Sequence, residues 1–189
     1  MSAPAVPHVR PAETDDLPAI TAIYADAVEN GCASFELVPP DLAEMAVRFA
    51  GIRDAGLPWL VAEIDGRVLG YAYAGPYRTR PAYRFTLEDS VYVHPAAKGT
   101  GVGRALLVAL LAAAEALGAR QLIAVIGDSG NTASIGLHAA LGFTPAGLLR
   151  AAGWKHGRWV DSVLMQRPLG PGADTPPDET ASPASGPAS

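Results

Sequence analysis

Three glycines at alternate positions form a candidate anion-binding turn. Gly99, Gly101 and Gly103 lie within residues 98–104, Lys-Gly-Thr-Gly-Val-Gly-Arg, between a short strand-like run and a long apolar run. Because glycine has no side chain, such a turn lets a phosphate approach backbone N–H groups at the positive end of the following helix. A carboxylate, Glu88, precedes the turn and is a candidate proton acceptor.

The glycine spacing fits more than one kind of turn. A P-loop would have Gly-Lys-Ser or Gly-Lys-Thr at the helix start, whereas Gly103 is followed by Arg104 and Ala105. A dinucleotide-binding fingerprint has the spacing Gly-x-Gly-x-x-Gly, usually on the first strand, whereas residues 99–103 have the spacing Gly-x-Gly-x-Gly and lie deep in the chain. A turn that uses glycine only for its backbone angles has a prior of about one half. Spacing alone therefore leaves open whether this turn binds a ligand.

The segments on either side of the turn are typical of a strand and a helix. Residues 91–93, Val-Tyr-Val, have the composition of a half-buried strand, and Pro95 is placed to end it. An apolar helix is predicted from Gly103, with Gly118 placed to end it. The turn therefore leads directly into a helix N-terminus.

The wider sequence resembles one enzyme superfamily. Ser90-Val-Tyr-Val followed by residues 98–103 is similar to the coenzyme A pyrophosphate loop of the GNAT superfamily of N-acetyltransferases. Within that superfamily, the chain resembles the phosphinothricin and methionine sulfoximine (or sulfone) acetyltransferases, through residues 83–88, 123–126, 131–143 and 151–161. The resemblance covers roughly Val9 to Leu169. GNAT loops usually begin with Gln or Arg, so Lys98 is expected to alter cofactor affinity without abolishing binding.

The resemblance implies acetyl-CoA as co-substrate. The residues implied to bind it are Val91, Tyr92, Val93, Lys98, Gly99, Thr100, Gly101, Val102, Gly103, Arg104 and Asn131. Val91 and Val93 would hold the pantetheine amides as a neighbouring strand would, and the Val93 N–H would stabilise the tetrahedral oxyanion. Asn131 begins the second similar segment and would contact the pantetheine arm.

Residues 75–84 form the most cationic segment of the chain. Guanidinium groups suit an anionic acceptor because they bind a carboxylate or phosphinate in a bidentate manner. A solvated loop is the alternative, favoured about two to one before the resemblance is considered. The resemblance implies that Arg78, Arg80 and Tyr83 contact the acceptor, although position 80 varies among similar sequences. Phe35 is a further candidate, with an equal prior for a residue that only anchors its loop.

Acetyl transfer to an amine requires a base, since an ammonium group cannot attack a thioester. Glu88 is the candidate, and partial burial would raise its pKa towards neutrality. Before the resemblance is counted, a merely solvated glutamate has a prior of about one half. His138 would either protonate the leaving thiolate or assist deprotonation of the amine. The other histidines, His8, His94 and His156, show no metal-ligand spacing, and no metal is expected.

Composition limits the possible compartments and partners. At 189 residues and 49% hydrophobic, the chain is predicted to form one domain, residues 1–169, followed by a disordered acidic tail, residues 170–189. The net charge of −5 and the lack of a basic face argue against nucleic-acid binding. Cys32 is the only cysteine, which excludes an intrachain disulfide. No signal peptide or membrane-spanning run is evident, so the cytoplasm is expected.

The predicted fold is mixed α/β and GNAT-like, with a central, mostly antiparallel sheet of about seven strands flanked by about four helices. Strands are expected near residues 8–13, 59–64, 68–73, 90–93, 121–126, 144–154 and 159–167. Helices are expected near residues 17–30, 41–55, 103–117 and 131–141. The Asp-Gly-Arg sequence at residues 65–67 is typical of a hairpin turn between two of these strands.

Two other functions compete with this interpretation. The chain could acetylate another amine, such as a polyamine, an antibiotic or a protein N-terminus, or it could be a non-catalytic acyl-CoA-binding module. The arginine-rich loop argues against a polycationic acceptor, and Glu88 argues against a pure binding module. The resemblance further implies a homodimer with the acceptor site near the subunit interface, and a role in herbicide resistance for a phosphinothricin-type activity.

Overall fold

The computed structural model describes residues 6–180, which form a single sheet with helices on both faces. Within these residues the sheet has seven strands in the order β1-β2-β3-β4-β5-β7-β6. The strands are β1 (His8–Pro11), β2 (Trp59–Ile64), β3 (Arg67–Pro76), β4 (Thr86–Val93), β5 (Gln121–Gly127), β6 (Thr144–Lys155) and β7 (Arg158–Pro168). The helices are α1 (Leu17–Asn30), α2 (Leu42–Asp54), α3 (Val102–Ala116) and α4 (Thr132–Ala140). Every neighbouring pair of strands is antiparallel except β4 and β5, and the predicted mixed α/β architecture is confirmed.

Two strands are longer than the sequence predicts. β4 begins at Thr86 instead of near Ser90, so Glu88 lies inside the strand and not just before it. β3 likewise continues to Pro76 before the chain leaves the sheet. The reason is pairing on both sides, because Glu88 lies opposite Gly75 of β3 and opposite Ile123 of β5. A central position in the sheet therefore holds the candidate base.

Side-chain caps define the starts of two helices. The Asp41 carboxylate accepts the N–H of Glu44 at the start of α2 (2.8 Å), and the Asn131 side chain accepts the N–H of Ser134 at the start of α4 (3.2 Å). Each cap satisfies an N–H that has no acceptor within its own helix. The cap of α4 also holds the side chain of Asn131, which the sequence assigns to the cofactor site.

The apolar faces of the helices cover both sides of the sheet. Leu106, Leu107 and Leu110 of α3 are fully buried on one face, in the same cluster as Leu122 of β5. On the other face, α1 and α2 pack over a cluster that contains Trp59 and several aromatic and aliphatic residues. Burying one large apolar side chain completely stabilises the folded protein by about 1.5–3 kcal/mol. The sheet that carries the candidate site is therefore held rigidly from both sides.

The first part of the tail lies against the domain. The Arg120 guanidinium donates to the carbonyl oxygens of Gly172 (2.8 Å) and Thr175 (2.5 Å). Arg84 forms an ion pair with Glu179 at 3.4 Å. Residues 170–180 therefore contact the domain. The disorder expected of the tail stays a prediction, and residues 181–189 lie outside the described part. No helix between residues 6 and 180 is long and apolar enough to cross a bilayer.

Candidate active site

The site begins where two neighbouring strands separate. β4 and β5 pair in parallel only from Thr86 to Asp89, opposite Gln121 to Ala124. β4 continues to Val93 along β3, whereas β5 continues along β7. The two strands therefore diverge after Asp89, and a cleft opens in the middle of the sheet.

The register of β4 determines which backbone groups face this cleft. The N–H of His94 donates to the carbonyl oxygen of Leu69 on the β3 side (2.8 Å), so even-numbered residues of β4 direct their backbone polar groups towards β3. The carbonyl oxygen of Phe85 instead accepts N–H groups at the start of β5 (2.8 and 3.2 Å), so odd-numbered residues face β5. Val91 and Val93 consequently present their N–H and C=O groups to the cleft.

The glycine-rich turn has the backbone shape of an anion-binding loop. Gly99 and Gly101 have φ angles of 78° and 91°, a left-handed conformation that side chains disfavour. The first helical hydrogen bond of α3 joins the N–H of Ala105 to the carbonyl oxygen of Gly101 (3.0 Å). The N–H groups of Val102 and Gly103 precede that bond, so they lie at the positive end of the helix.

A cleft of about 500 Å³, called here the long cleft, joins the diverging strand to this turn. The predicted cofactor residues that line it are Val91, Tyr92, Val93, Lys98, Gly99, Gly101, Gly103, Arg104 and Asn131. Thr100 does not line it, and its hydroxyl donates to the carbonyl oxygen of Ala97 (2.7 Å). The Val102 side chain is fully buried and packs towards Gly70, so only the backbone of Val102 is placed to bind a ligand.

A second cavity of about 250 Å³, called here the inner cavity, adjoins the long cleft. Glu88, His138 and Phe35 all line it. The two spaces share the lining residues Ala33, Val91, Tyr92, Asn131 and Ser134. A ligand that follows β4 along the long cleft would therefore end beside the Glu88 carboxylate.

The surroundings of Glu88 favour its protonated form. Burial raises the pKa of Glu88 above its ordinary value, and the neighbouring Asp89 raises it further, while the Arg78 charge opposes the shift. A carboxylate with a raised pKa is a stronger base than an ordinary glutamate carboxylate. The expected effect of partial burial on Glu88 is therefore present.

His138 is held between two acceptors. Its Nδ1 lies 2.8 Å from the carbonyl oxygen of Ser134, and its Nε2 lies 2.9 Å from Oδ2 of Asp89. A carbonyl oxygen can only accept, so Nδ1 carries a proton, and a carboxylate on Nε2 favours a second one. Burial lowers the pKa of His138, but the hydrogen bond and charge of Asp89 outweigh it, and the net shift is upward. The His138 pKa is therefore raised above its ordinary value by its contact with the buried Asp89 side chain.

The cationic segment lies outside both cavities. Arg78 is exposed and lies over the Tyr77 ring (5.1 Å), which in turn meets the Tyr83 ring edge to face at 5.7 Å. Arg80 is exposed as well, and its carbonyl oxygen accepts the N–H of Tyr83 in a short 3₁₀ turn. Of this segment, Arg78 is the residue whose charge reaches the inner cavity, through its effect on Glu88.

The structure adds Asp89 to the residues found from the sequence. Its side chain is 2% exposed, and its Oδ1 has no hydrogen-bond partner among the described residues. An acidic residue two positions after Leu87, which is fully buried, faces the same side of the strand. This alternation along the strand could have identified Asp89 as a buried residue. Its hydrogen-bond partner, His138, lies 49 residues away in the chain and could not be predicted from the pattern. Within residues 6–180, no cluster of three or more His, Cys, Asp or Glu side chains is arranged to hold a metal ion.

Comparisons with known proteins agree with this geometry. Residues 20–143 match the Acetyltransferase (GNAT) family model. The chain is 64% identical, over 90% of its length and 86% of the relative, to a phosphinothricin N-acetyltransferase from Alcaligenes faecalis. It is 44% identical, over 89% of its length and 98% of the relative, to an L-methionine sulfoximine/L-methionine sulfone acetyltransferase from Pseudomonas paraeruginosa. A crystal structure of a phosphinothricin acetyltransferase from Sinorhizobium meliloti in complex with AcCoA superposes with a TM-score of 0.90 at 50% identity, covering 93% of this chain and 95% of that one.

Proposed function

The chain belongs to the GNAT acetyltransferase family and is an acetyl-CoA-dependent N-acetyltransferase, and we propose that its acceptor is a small amino-acid-like amine of the phosphinothricin, methionine sulfoximine or methionine sulfone type. The observation that carries the proposal is the position of Glu88. Its carboxylate lines the inner cavity, which shares five lining residues with the long cleft. A base in this cavity reaches an amine bound there while a thioester lies along β4 in the long cleft.

The cofactor residues are proposed from the same geometry. Acetyl-CoA supplies a thioester whose thiolate leaves readily, since an ordinary thiol has a pKa of about 8.5. Val91 and Val93 offer backbone groups to the pantetheine arm, and the glycine turn offers N–H groups to the pyrophosphate. Lys98 and Arg104 line the same cleft and add positive charge near the phosphates. The fit extends over the whole length of the long cleft.

The proposed chemistry needs one proton acceptor and one oxyanion donor. Glu88 accepts a proton from the acceptor ammonium, directly or through one water, so that the neutral amine can attack the acetyl carbonyl carbon. The N–H of Val93 donates to the carbonyl oxygen as negative charge develops on it. The carbon–sulfur bond then breaks, coenzyme A leaves as its thiolate, and the excess proton on the amide nitrogen passes to that sulfur, directly or through one water. Catalysis by Glu88 accordingly depends on its raised pKa.

His138 has a less direct place in this scheme. Both of its ring nitrogens are engaged, by Ser134 and by Asp89, and its side chain is 4% exposed. Direct protonation of the thiolate by Nε2 would require the contact with Asp89 to break. We therefore place His138 as a residue that holds the Asp89 side chain at the cavity wall, and not as the direct proton donor to the thiolate.

The acceptor is assigned from the relatives and from the charge near Glu88. An amino-acid-like acceptor carries a carboxylate, and Arg78 supplies a cation within electrostatic reach of the inner cavity. Phe35 offers an apolar surface on the cavity wall for the acceptor side chain. Arg80 and Tyr83 are retained as candidate contacts, since the same loop carries them.

The assembly and the compartment are further proposals. β6 is an edge strand that is exposed along almost its full length, and the β6–β7 hairpin carries the exposed large apolar residues Leu149 (53%), Trp154 (56%) and Trp159 (62%). An exposed apolar edge of this kind is typical of a surface covered in an oligomer. We propose a homodimer in the cytoplasm. A monomeric mass by light scattering at micromolar concentration would contradict the homodimer.

The first experiment measures free-thiol release from acetyl-CoA with a panel of amines. We expect rapid turnover with phosphinothricin, methionine sulfoximine or methionine sulfone, and little with polyamines. Glu88→Gln should lose about 10²-fold or more in turnover because the base is gone while the shape is kept. Glu29→Gln, an exposed change on α1, is the matched control and should leave turnover unchanged. Acetyl-CoA binding without turnover on any amine would favour the binding-module interpretation.

A further inference from the structure

One wall of the inner cavity is a connecting segment instead of a regular element. Residues 31–36, called here the strap, follow α1, and three of them, Ala33, Ser34 and Phe35, line the inner cavity. Gly31 and Ala33 also line the long cleft. The position of the strap therefore determines how much room the inner cavity offers.

Side chains from α1 and α2 hold the strap on one side. The Tyr24 hydroxyl lies 2.9 Å from Ser34 Oγ and donates to Oε1 of Glu36 at 2.9 Å. Arg48 of α2 binds both carboxylate oxygens of Glu36, at 2.6 and 3.3 Å. The backbone N–H of Glu36 also donates to Ser34 Oγ (3.1 Å). The Ser34 hydroxyl and the Glu36 carboxylate thus each have fixed partners.

The β6 strand and the end of β5 hold the strap on its other side. Lys155 is 3% exposed, and its Nζ donates to the carbonyl oxygen of Ser34 at 2.8 Å. A buried, desolvated ammonium group needs such a hydrogen-bond acceptor, so breaking this contact is costly. At the end of β5, a methyl group on Gly127 would overlap the carbonyl oxygen of Cys32. The strap backbone is therefore fixed from two directions.

The Phe35 ring lies directly over a glycine of β6. A methyl group built on Gly153 would overlap two carbon atoms of that ring. Gly153 does not have a positive φ angle, so alanine suits its backbone, and the overlap with the ring is the main obstacle. The strap backbone is fixed by Lys155, Tyr24 and Arg48. Phe35 is 38% exposed and also lines the inner cavity, so a ring displaced from β6 turns either to solvent or into the cavity, and the second movement narrows the cavity.

We propose that Gly153 is a specificity-determining residue, because the missing side chain admits the Phe35 ring against β6 and so keeps the inner cavity wide enough for an extended acceptor side chain. The inference rests on the proposed function, since it assigns the inner cavity to the acceptor. Lys155 is a positioning residue that acts through Ser34 of the strap. The acceptor class that this wall selects is an amino acid with a long, unbranched side chain.

The test compares Gly153→Ala with the wild type on two acceptors of different length, methionine sulfone and alanine. We expect Gly153→Ala to raise KM for methionine sulfone by about tenfold, with a smaller change for any activity on alanine and KM for acetyl-CoA within about twofold. Gly51→Ala is the matched control, because a methyl group there meets nothing within 4 Å, and it should change neither KM. An unchanged acetyl-CoA KM also shows that Gly153→Ala has folded.

A double-mutant cycle with Phe35→Ala tests the proposed contact. Once the ring is removed, Gly153→Ala should change KM for methionine sulfone by less than about twofold. An equal effect of Gly153→Ala with and without the ring would overturn the proposal, as would a wild-type KM in the single variant. Lys155→Met should likewise raise the acceptor KM while sparing that for acetyl-CoA, because it frees the Ser34 carbonyl.

The two proposals fail in different ways. A wild-type enzyme that acetylates no amino acid contradicts the proposed function, whereas an active wild type with an unaffected Gly153→Ala variant contradicts only the role of Gly153. The packing itself can also be measured without any acceptor. Urea unfolding is compared for the wild type, Gly153→Ala, Phe35→Ala and the double variant. Gly153→Ala should destabilise the enzyme only when Phe35 is present, and additive effects on the free energy of unfolding would refute the contact.

Discussion

The buried pair of Asp89 and His138 makes a quantitative prediction about pH and stability. The perturbation is Asp89→Asn, which keeps the shape of the side chain and removes its charge. In the variant the ring is expected to become neutral, with its Nδ1 proton still donated to Ser134 and its Nε2 accepting from the side-chain amide introduced at position 89. Hydrogen bonding is thereby preserved, and the electrostatic part of the interaction is isolated.

The sign of the effect follows from the direction of the pKa shift. In the wild type the folded-state pKa of His138 is raised, so the pair stabilises the fold fully below the ordinary histidine pKa, and this stabilisation is lost as pH rises through the raised value. In Asp89→Asn the buried ring resists protonation, so folding must release a proton at low pH. The two proteins should therefore diverge as pH falls.

The magnitude can be worked out from linkage. Keeping a histidine neutral one pH unit below its unfolded pKa of about 6.5 costs about 1.4 kcal/mol. The stability loss caused by Asp89→Asn should hence be larger at pH 5.5 than at pH 8 by about 1.4 kcal/mol or more. For a domain of this size that difference corresponds to about 3–6 °C in Tm.

Urea unfolding followed by the fluorescence of buried Trp59 measures this difference. The curves are recorded at pH 5.5 and pH 8 for the wild type and for Asp89→Asn. The control is the same pair of proteins in a His138→Gln background, where the pH-dependent difference should vanish. A loss of stability that is equal at the two pH values would refute the ion pair.

Three further predictions concern the cofactor turn, the base and the tail. Gly101→Ala should raise KM for acetyl-CoA, because alanine is strained at a φ of 91°, and should leave the acceptor KM unchanged in steady-state assays; a raised acceptor KM would contradict this. The acid limb of the kcat/KM profile against pH should follow the raised pKa of Glu88. Arg78→Gln should move that limb to higher pH, because the Arg78 charge lowers the Glu88 pKa in the wild type. An unmoved limb in the variant would exclude this effect of Arg78. Arg120→Ala should speed proteolytic cleavage within residues 170–180 with no loss of turnover, measured by mass spectrometry, and unchanged cleavage would show that its contacts do not hold the tail.

The sequence determined those features that depend on neighbouring residues. The glycine turn could be read directly, since left-handed backbone angles at Gly99 and Gly101 require residues without side chains. The starts of α2 and α4 lie at Asp41 and Asn131, residue types that favour helix N-caps for local reasons. Local composition predicted the strand before the turn and the helix after it, whereas the mixed α/β class was implied by the resemblance to the GNAT superfamily.

Tertiary structure alone decided how these elements combine. The length of β4, and with it the central position of Glu88, depends on pairing with β3 and β5. The pairing of His138 with Asp89 and the packing of the Phe35 ring against Gly153 depend on contacts between segments far apart in the chain. Such contacts form only when the sheet is assembled and the cores on both faces are packed, so no local pattern encodes them. The composition of the glycine turn is therefore a property of the sequence, whereas the shape and electrostatics of the inner cavity are properties of the fold.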